Sequence, residues 1–559
     1  MDFFIVSNSL IGKANKCFIR PSMQNRMFDH RAIILCFKDP PKVIKQSTVS
    51  REILSDPDLE LYVGLSIADT YLIHTNAIGA AEKIELALRI GNAKRDLRLA
   101  GPDKKYFHDG FRSELDENIR AGRLGGIREL IDDFPFNILQ EGGFSDNISD
   151  SLFMETLINN LRNDVISYQT FLARTVKESI SSMTNKLTEL KANYVVNQVQ
   201  IDTIKKKLDS IVDNTLRCKL EATSNFEILN SERITPHFLN LAKGSKAEAS
   251  LSDLRDDNEN PFPSDNEMKE YVRNYYQNLY RRPACEDTID GDSIKNFLGD
   301  EILNSRLVQD SKVPEAVRQE LEEPISIQEL DKSAAQGNRS AAGMDGINNC
   351  FIKKFWHYLR TPLHRYVTFC HGTGTLSQSF KTASIKLIPK KGDCSKLKNW
   401  RPISLLSCLY KVISRALNNR LKKINGYIFS RAQKGFTKDR HIQEVLMNVI
   451  EMIAHCKKNN ISGAILSIDQ CKAFDSVAHK YMHEVYNFFG LGPNFIRLLE
   501  TLGNNRKACI AFDDGSHSAE IDLECGRAQG NTSSPIEYNM AQQIIIFKIE
   551  LCPEVKKIY

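Results

Sequence analysis

Apolar residues recur at helical spacing in a long central stretch that contains no helix breaker. Residues 144–235 include neither Gly nor Pro, and this composition favours long helices over sheet. In the heptad-like segment 172–215, apolar residues alternate in steps of four and three, with one interruption at Asn197. This repeat predicts either a coiled coil that self-associates through 176–211 or an internal helical hairpin with the same seam. The apolar positions are Val176, Ile180, Met183, Leu187, Leu190, Tyr194, Ile201, Ile204, Leu208 and Ile211.

Short apolar runs near both ends of the chain predict strands. Residues 3–7 and 32–35 are such runs, and residues 508–512 and 519–523 alternate apolar with polar side chains. The second pair flanks an Asp-Gly turn at 513–516, which predicts a hairpin. Together with the long helices, these strands predict an α+β fold.

An acidic residue closes another apolar run near the C-terminus. Residues 463–468 are mainly apolar, Asp469 follows them, and Phe474 comes five residues later. A carboxylate at the end of a covered strand can face a cleft instead of being desolvated. Taken alone, the same pattern also fits a strand that stops in an ordinary surface aspartate, because Asp-x-x-x-x-Phe is a common string.

The composition of the 559 residues is close to that of soluble globular proteins, with 42% apolar and 26% charged residues. No stretch approaches the ~18 apolar residues of a membrane span, and the N-terminus lacks the basic flank of a signal peptide. We therefore expect an intracellular protein with no membrane partner, and the sequence does not distinguish nucleus from cytoplasm. The 13 cysteines include no Cys-x-x-Cys pair, so neither a zinc ribbon nor a disulfide framework is predicted.

Positive charge is concentrated in one segment. Residues 381–440 contain 16 Lys or Arg against two acids, Asp393 and Asp439, although the formal net charge of the whole chain is only +5. Since these charges interleave with an apolar pattern, the segment is predicted to be folded and cationic. A phosphate backbone is the natural partner of such a surface.

The basic segment divides into predicted elements. A strand over 384–388 is followed by a turn and by a helix that begins at Pro402. Helical spacing places Lys411, Arg415 and Arg420 on the exposed face of this helix.

Two further cations of the segment flank a loop. Lys390 and Arg401 could hold a triphosphate, since a point charge and a bidentate fork match adjacent phosphates, and two solvated loop cations are the alternative. The cations predicted to contact nucleic acid are Lys386, Lys391, Lys411, Arg415 and Arg420.

Five short motifs follow one another between residues 386 and 535. They are Lys-Leu-Ile-Pro-Lys-Lys-Gly-Asp at 386–393, Asn-Trp-Arg-Pro-Ile-Ser-Leu-Leu at 399–406, Gln-Lys-Gly-Phe at 433–436, Ile-Asp-x-x-Lys-Ala-Phe-Asp at 468–475 and Arg-Ala-Gln-Gly-x-x-x-Ser-Pro at 527–535. In this order they closely resemble the fingers and palm of reverse transcriptases of LINE-like non-LTR retrotransposons. Residues 341–347 resemble the upstream Pro-Gly-x-Asp-Gly element of that family, with Ala342 in place of the proline, and residues 230–283 match it more loosely.

The resemblance implies a right-hand polymerase with fingers and an incomplete palm, preceded by a long all-helical region and a short β remnant. The implied domains are 1–40, the C-terminal remnant of an endonuclease/exonuclease/phosphatase-like domain; 41–243, a helical connector; 244–265, a polar linker; 266–370, an N-terminal extension of the reverse transcriptase; and 371–559, the reverse transcriptase domain.

The resemblance also implies a role for each matching residue. Asp469 matches the first catalytic carboxylate, which holds Mg²⁺ in a two-metal site, and Phe474 matches the aromatic ring that excludes a ribose 2′-hydroxyl. Lys390 and Arg401 match residues that hold the triphosphate, and Gln529-Gly530 match a loop that supports the template base and the incoming nucleotide. The implied partners are an RNA template and a DNA primer.

Two other carboxylate positions receive different interpretations. Asp475 is expected to cap the helix that follows it rather than to bind metal. Asp513-Asp514 resemble the family's Ala-Asp-Asp segment in letters, but they precede Gln529 and lie in a turn, so we expect no catalytic role for them.

Some activities of the family are expected to be missing. Residues 2–7 and 28–31 resemble the last strands of the apurinic-type endonuclease of such elements, and Asp29 and His30 are its remnant. Because Phe28 replaces the family's serine and the metal-binding part would lie earlier, we expect no nuclease activity. No Ala-Asp-Asp segment follows the Gln-Gly motif at 529–530, so the chain is expected to be truncated and catalytically incomplete when alone.

Three functions are therefore compatible with the sequence. The favoured one is a retrotransposon polyprotein fragment whose family activity is RNA-directed DNA polymerisation. The alternatives are a non-enzymatic RNA- or DNA-binding protein that uses residues 381–440, and a coiled-coil interaction module.

Overall fold

The computed structural model describes most of the chain between residues 250 and 551 and parts of what precedes it. The predicted strand at 3–7, the apolar run at 463–468, and the endonuclease remnant Asp29 and His30 lie outside the described residues. The described residues are 14–19, 33–37, 54, 57–74, 80–100, 125–132, 134, 149–191, 198–206, 208, 250–338, 341–390, 392–437, 439–460 and 469–551.

The described part of the chain is mainly helical, and none of its helices combines the length and the apolarity needed to cross a bilayer. The helices are α1 (Pro57–His74), α2 (Ala80–Ala100), α3 (Asp150–Lys191), α4 (Asp265–Leu279), α5 (Ser293–Leu298), α6 (Asp300–Leu303), α7 (Arg306–Gln309), α8 (Glu315–Glu322), α9 (Ile327–Ala335), α10 (Asn349–Lys354), α11 (Trp356–Thr373), α12 (Gln378–Lys381), α13 (Cys408–Ile428), α14 (Ile442–Lys458), α15 (His479–Phe489), α16 (Pro493–Gly503) and α17 (Ser534–Leu551).

The early helices share a core with the later part of the chain. Asp150, at the start of α3, accepts a hydrogen bond from Arg365 of α11 at 3.0 Å. One turn later, the Glu155 carboxylate accepts from the backbone N of Ser379 at 3.1 Å. The buried apolar side chains of α1, α3, α11 and α13 belong to one continuous cluster, so α1 and α3 share a core with the later helices.

The heptad-like segment is helical where the structure describes it. α3 covers it as far as Lys191, and residues 198–206 are helical again. Met183 is 9% exposed and Ile201 is fully buried within this single chain. This burial favours the internal packing of the seam, and self-association through 176–211 stays a prediction.

A mixed four-stranded sheet lies within the helices, with the strand order β4-β3-β5-β6. β3 runs antiparallel to β4 and parallel to β5, and β5 pairs antiparallel with β6, where Ala508 lies opposite Ile521. The hairpin predicted around residues 513–516 is therefore confirmed. A separate pair, β1 and β2, includes most of the predicted run at 32–35. The strands are β1 (Ala14–Ile19), β2 (Ile33–Phe37), β3 (Thr382–Pro389), β4 (Trp400–Leu405), β5 (Arg506–Ala511) and β6 (Ile521–Leu523).

The predicted helix start at Pro402 is wrong. Pro402 lies in β4, opposite Leu387 of β3, and the helix begins at Cys408. β4 is an edge strand, where a residue without an N–H is tolerated because alternate N–H groups have no strand partner.

The predicted polar linker also differs from the structure in its described part, residues 250–264. Leu251 and Leu254 are buried in the apolar cluster, and Arg255 donates its backbone N–H to Ser395 O at 2.9 Å. Ser264 then caps α4. These contacts hold the segment against the rest of the chain, although most of its side chains are exposed.

A buried ion pair joins the loop after β6 to α17. Arg527 Nε lies 3.1 Å from the Glu537 carboxylate, and the two side chains are 1% and 3% exposed. Tyr486 donates its hydroxyl to Glu537 at 2.8 Å, and Arg527 Nη1 donates to Asn504 Oδ1 at 2.8 Å. Because both side chains are buried, only groups inside the protein can compensate the two charges.

The Arg527–Glu537 pair predicts a large stability loss when one partner is removed. Glu537→Leu should lower the free energy of unfolding by ~3–5 kcal/mol, because it leaves a buried guanidinium unpaired. The double variant Arg527→Leu/Glu537→Leu should lose less than the single one. Denaturant unfolding monitored by circular dichroism measures both, with Lys295→Ala on the surface of α5 as a control that changes nothing measurable. A double variant that lost the sum of the two single losses would contradict the prediction.

Candidate nucleotide and nucleic-acid site

The hairpin of β3 and β4 presents the cations predicted to bind phosphate. Lys386 on β3 and Arg401 on β4 are exposed, and Lys390, which follows β3, is half-buried. The backbone N of Lys390 donates to Asn399 O at 2.7 Å and closes the hairpin turn. Lys391 lies outside the described residues. Two cations of this hairpin therefore reach solvent, and a third is partly covered.

The loop that carries Gln529 and Gly530 lies directly against β4. Ser404 donates its backbone N–H to Gln529 O at 2.7 Å. Gly530 has a φ of 124°, and a Cβ atom at this position would lie 2.4 Å from Ser404 O. Any larger residue would be strained and would push the loop away from the strand.

The same loop contacts the turn that contains Phe474. Arg527 donates its backbone N–H to Phe474 O at 2.7 Å, and Gly526 donates to Val477 O at 2.8 Å. A Cβ atom on Gly526, at a φ of 86°, would lie 2.8 Å from the backbone O of Asp475. The structure thus brings three separate sequence motifs together: β4, the turn at 472–477 and the loop at 526–531.

Phe474 is half-buried in an aromatic cluster. Its ring is stacked on Tyr538 of α17, with 4.7 Å between centroids and an interplanar angle of 28°. Phe436 approaches edge-on at 6.4 Å and is itself 65% exposed. Offset stacking of this kind fixes a ring plane, so Tyr538 determines the orientation of Phe474.

Asp469 is exposed at the margin of this cluster. The neighbouring Gln470 accepts hydrogen bonds from Tyr538 Oη at 2.7 Å and from Gln542 Nε2 at 2.6 Å. The Asp469 charge and burial together raise the pKa of the Tyr538 hydroxyl, with burial as the larger cause. Asp469 therefore lies close to the aromatic cluster and is open to a ligand.

Asp475 does not cap the next helix, and that prediction is wrong. α15 begins at His479, three residues beyond the position that Asp475 would need, and has no side-chain cap. Instead, Asp475 is buried and accepts hydrogen bonds from Tyr280 Oη at 2.8 Å and Gln529 Nε2 at 2.9 Å. Burial raises the pKa of this carboxyl group. Asp475 is thus a central acceptor within the site.

The exposure predicted for Lys411, Arg415 and Arg420 is also wrong. Lys411 is buried and donates to Ala341 O at 3.3 Å, and Arg415 is half-buried and donates to Ser333 O. Burial lowers the pKa of both groups. Neither charge is placed on an open surface.

Arg420 is enclosed still further. It is 5% exposed and donates to the Glu329 carboxylate through Nε and Nη2, both at 2.7 Å. Its remaining N–H groups donate to the carbonyls of Leu321, Glu323 and Pro324. Glu329 also closes the capping box of α9 with Ser326. The guanidinium therefore joins α13 to α9 and has no donor left for phosphate.

Asp514, the second residue of the Asp513-Asp514 pair, holds its turn in place. Asp514 accepts from Lys269 at 2.6 Å and from Ser516 at 2.7 Å, and these bonds lower the pKa of its carboxyl group to about 2. Gly515 follows at a φ of 83°. The turn is fastened to α4 by this ion pair.

The described residues contain no group of three or more His, Cys, Asp or Glu side chains that could hold a metal ion. Asp469 is the exposed carboxylate at the site, and Asp475 is occupied by Tyr280 and Gln529. One carboxylate can contribute to a metal site but does not make one.

Sequence reasoning missed two residues of the site. They are Tyr280, which follows α4 directly, and Tyr538 of α17. The spacing of Tyr275, Tyr276 and Tyr280 does indicate that one face of α4 is covered. Its partner could not be known, because Tyr280 and Asp475 are 195 residues apart.

Comparison with known proteins identifies the class of this domain. Residues 388–558 match the family described as reverse transcriptase (RNA-dependent DNA polymerase). The match includes β4, Asp469, Phe474 and the Gln529 loop. It begins within β3 and does not include Tyr280.

Relatives of known origin are all proteins of mobile elements. The chain is 27% identical over 363 residues to the Transposon TX1 uncharacterized 149 kDa protein of Xenopus laevis, covering 60% of this chain and 26% of that protein. It is 25% identical over 236 residues to a Pol polyprotein from the type-1 retrotransposable element R2 of Popillia japonica, covering 42% and 32%. It is 29% identical over 173 residues to the RNA-directed DNA polymerase from mobile element jockey of Drosophila melanogaster, covering 30% and 18%.

The chain spans about a third or less of the length of these relatives. These relatives are proteins of mobile elements, and this agrees with the resemblance to retrotransposon reverse transcriptases that the five motifs indicate. In the structure, the loop that carries Gln529 contacts both β4 and the Phe474 turn. The chain contains a reverse transcriptase domain that is similar to those of LINE-like non-LTR retrotransposons.

Proposed function

We propose that this domain takes part in RNA-directed DNA synthesis, the addition of deoxynucleotides to the 3′ end of a DNA primer on an RNA template. The observation that carries the proposal is the contact of β4, the Gln529-Gly530 loop and the Phe474 turn beside the exposed Asp469. These elements are far apart in sequence, and their contact supports the proposal that Arg401, Gln529, Phe474 and Asp469 act at one site. The relatives that carry polymerase names support the same activity.

Each group has a chemical task in the proposed reaction. Arg401 and Lys390 hold the triphosphate, because a guanidinium fork and a point charge together match adjacent phosphates. Phe474 stands against the sugar and excludes a 2′-hydroxyl by its bulk. Gln529 and Gly530 support the base and the nucleotide from the side of β4. The primer 3′-oxygen attacks the α-phosphorus, and pyrophosphate leaves with the electron pair of the broken P–O bond.

A divalent cation, Mg²⁺ in our proposal, would be held in part by Asp469. When bound, it would neutralise charge on the reacting phosphates. The exposure of Asp469 fits this role. Asp475 does not fit it, because its two oxygens already accept from Tyr280 and Gln529.

The proposed partners are an RNA template and a DNA primer. Lys386 and Arg401 lie on adjacent strands and are both exposed, so they can contact phosphates without first breaking internal bonds. Lys411, Arg415 and Arg420 are left out of this surface because their charges are used within the fold. Nucleic-acid affinity should accordingly depend on the hairpin of β3 and β4.

Arg401→Ala and Lys390→Ala should each lower the affinity for a deoxynucleoside triphosphate about tenfold, because each removes a charge-assisted contact to phosphate. Equilibrium binding of a fluorescent dNTP to the chain, with an RNA–DNA template–primer present, measures the effect. Lys295→Ala, an exposed lysine on α5, is the matched control and should bind as the wild type does. Equal affinity of all four proteins would contradict the assignment of the triphosphate site.

Phe474→Val should reduce the preference for deoxynucleotides over ribonucleotides. The smaller side chain opens space for a 2′-hydroxyl, so the affinity ratio of dNTP to rNTP should fall about tenfold or more. Competition binding with both nucleotides gives the ratio directly. Phe297→Val, an exposed aromatic on α5, serves as the control. An unchanged ratio in Phe474→Val would show that Phe474 is a packing residue only.

A further inference from the structure

Asp475 is a buried carboxylate at the centre of the site that none of the proposed chemical steps uses. It is 2% exposed, and its two oxygens have separate partners. Oδ1 accepts from Tyr280 Oη at 2.8 Å and Oδ2 accepts from Gln529 Nε2 at 2.9 Å. Because burying a carboxylate is costly unless its oxygens are hydrogen-bonded, the two donors are what allow Asp475 to be there.

The hydrogen bond to Asp475 fixes the orientation of the Gln529 side-chain amide. An amide presents a donor on one side and an acceptor on the other, and rotation by 180° about the Cγ–Cδ bond exchanges them. An ionised carboxylate accepts hydrogen bonds and donates none, so only Nε2 can face Asp475. The rotated amide would place its Oε1, an acceptor, against the Asp475 carboxylate, which is also an acceptor. Oε1 is thereby left as the amide's acceptor on the opposite side.

The backbone of the loop is already held by other contacts. Gln529 O accepts from Ser404 N, and Gly530 and Gly526 are packed too closely against Ser404 O and Asp475 O to admit a Cβ atom. Rotation of the side chain is therefore the main conformational freedom that remains at Gln529. Asp475 therefore affects the orientation of the Gln529 side-chain amide and not the backbone conformation of the loop.

Tyr280 extends this arrangement to a segment outside the matched domain. It ends α4, is 6% exposed, and its backbone O accepts from Glu524 N at 3.0 Å. Its hydroxyl supplies the second donor to Asp475. Tyr280 lies more than a hundred residues before residue 388, where the family match begins, yet it contacts the same carboxylate as Gln529.

We propose that Asp475 is a positioning residue of the nucleotide site, which together with Tyr280 holds the Gln529 amide with its acceptor toward the incoming base pair. This inference rests on the proposed function, because it assigns to the amide a role in nucleotide binding. Asp475 touches neither nucleotide nor metal in this scheme. Its effect is transmitted entirely through the orientation of Gln529.

The orientation itself can be tested without any nucleotide. In the full chain labelled with ¹⁵N-glutamine, the Gln529 side-chain amide should give one proton signal that is shifted downfield and protected from solvent exchange. Asp475→Asn should abolish that signature, since the isosteric amide no longer demands a donor, and Tyr280→Phe should weaken it. Gln529→Met assigns the signal by its loss. A Gln529 signal that was the same in Asp475→Asn and wild type would overturn the proposal.

The consequence for binding is measured on the same variants. Asp475→Asn should lower dNTP affinity about tenfold, and Tyr280→Phe about threefold, while the thermal unfolding midpoint stays within a few degrees of wild type. Asp513→Asn, an exposed carboxylate in the turn after β5, is the matched control. A lost amide signature with unchanged dNTP affinity would make Asp475 a structural residue and overturn the proposal. If the wild-type chain bound no dNTP, the proposed function would fail, and the amide signal would still report whether Asp475 sets the orientation of Gln529.

Discussion

The hydrogen bond from Ser404 N to Gln529 O is the contact on which the geometry of the site depends. It joins an edge strand to a loop that is more than a hundred residues later in the chain, and it forms only because Gly530 lets the two backbones approach. The loop then reaches Phe474 through Arg527 N. Loss of the Ser404–Gln529 hydrogen bond would separate Arg401 of β4 from both the Phe474 ring and the Asp469 carboxylate.

Burial, and not charge alone, determines which of the basic residues are available to bind phosphate. The segment 381–440 contains 16 Lys or Arg against two acids, but its helix α13 turns Lys411, Arg415 and Arg420 inward, where backbone carbonyls and Glu329 accept their hydrogen bonds. Such groups stabilise the packing of α13 against α9 and the loop before it. The cations that remain for phosphate lie on the two strands that precede α13.

The sequence predicts features that depend on near neighbours and misses those that depend on distant ones. The Asp-Gly hairpin and the strand at 384–388 follow from local patterns, and the structure confirms them. Pro402 was placed in a helix because proline favours a first helical turn, but pairing with Leu387 places it in an edge strand. The cap predicted for Asp475 failed for a similar reason, since its partners are Tyr280 and Gln529. Helical spacing alone placed Arg420 on a surface that α9 covers.

The inward-facing cations also limit how far this domain can be shortened from its N-terminal side. Every hydrogen-bond partner of Arg420 lies between residues 321 and 329, and Arg415 and Asp475 likewise bind Ser333 and Tyr280. A fragment limited to residues 388–558 would retain these charges and lose their partners, so they would be buried without compensation. A fragment that keeps these partners must therefore begin at or before Tyr280, well upstream of residue 388, where the family match begins.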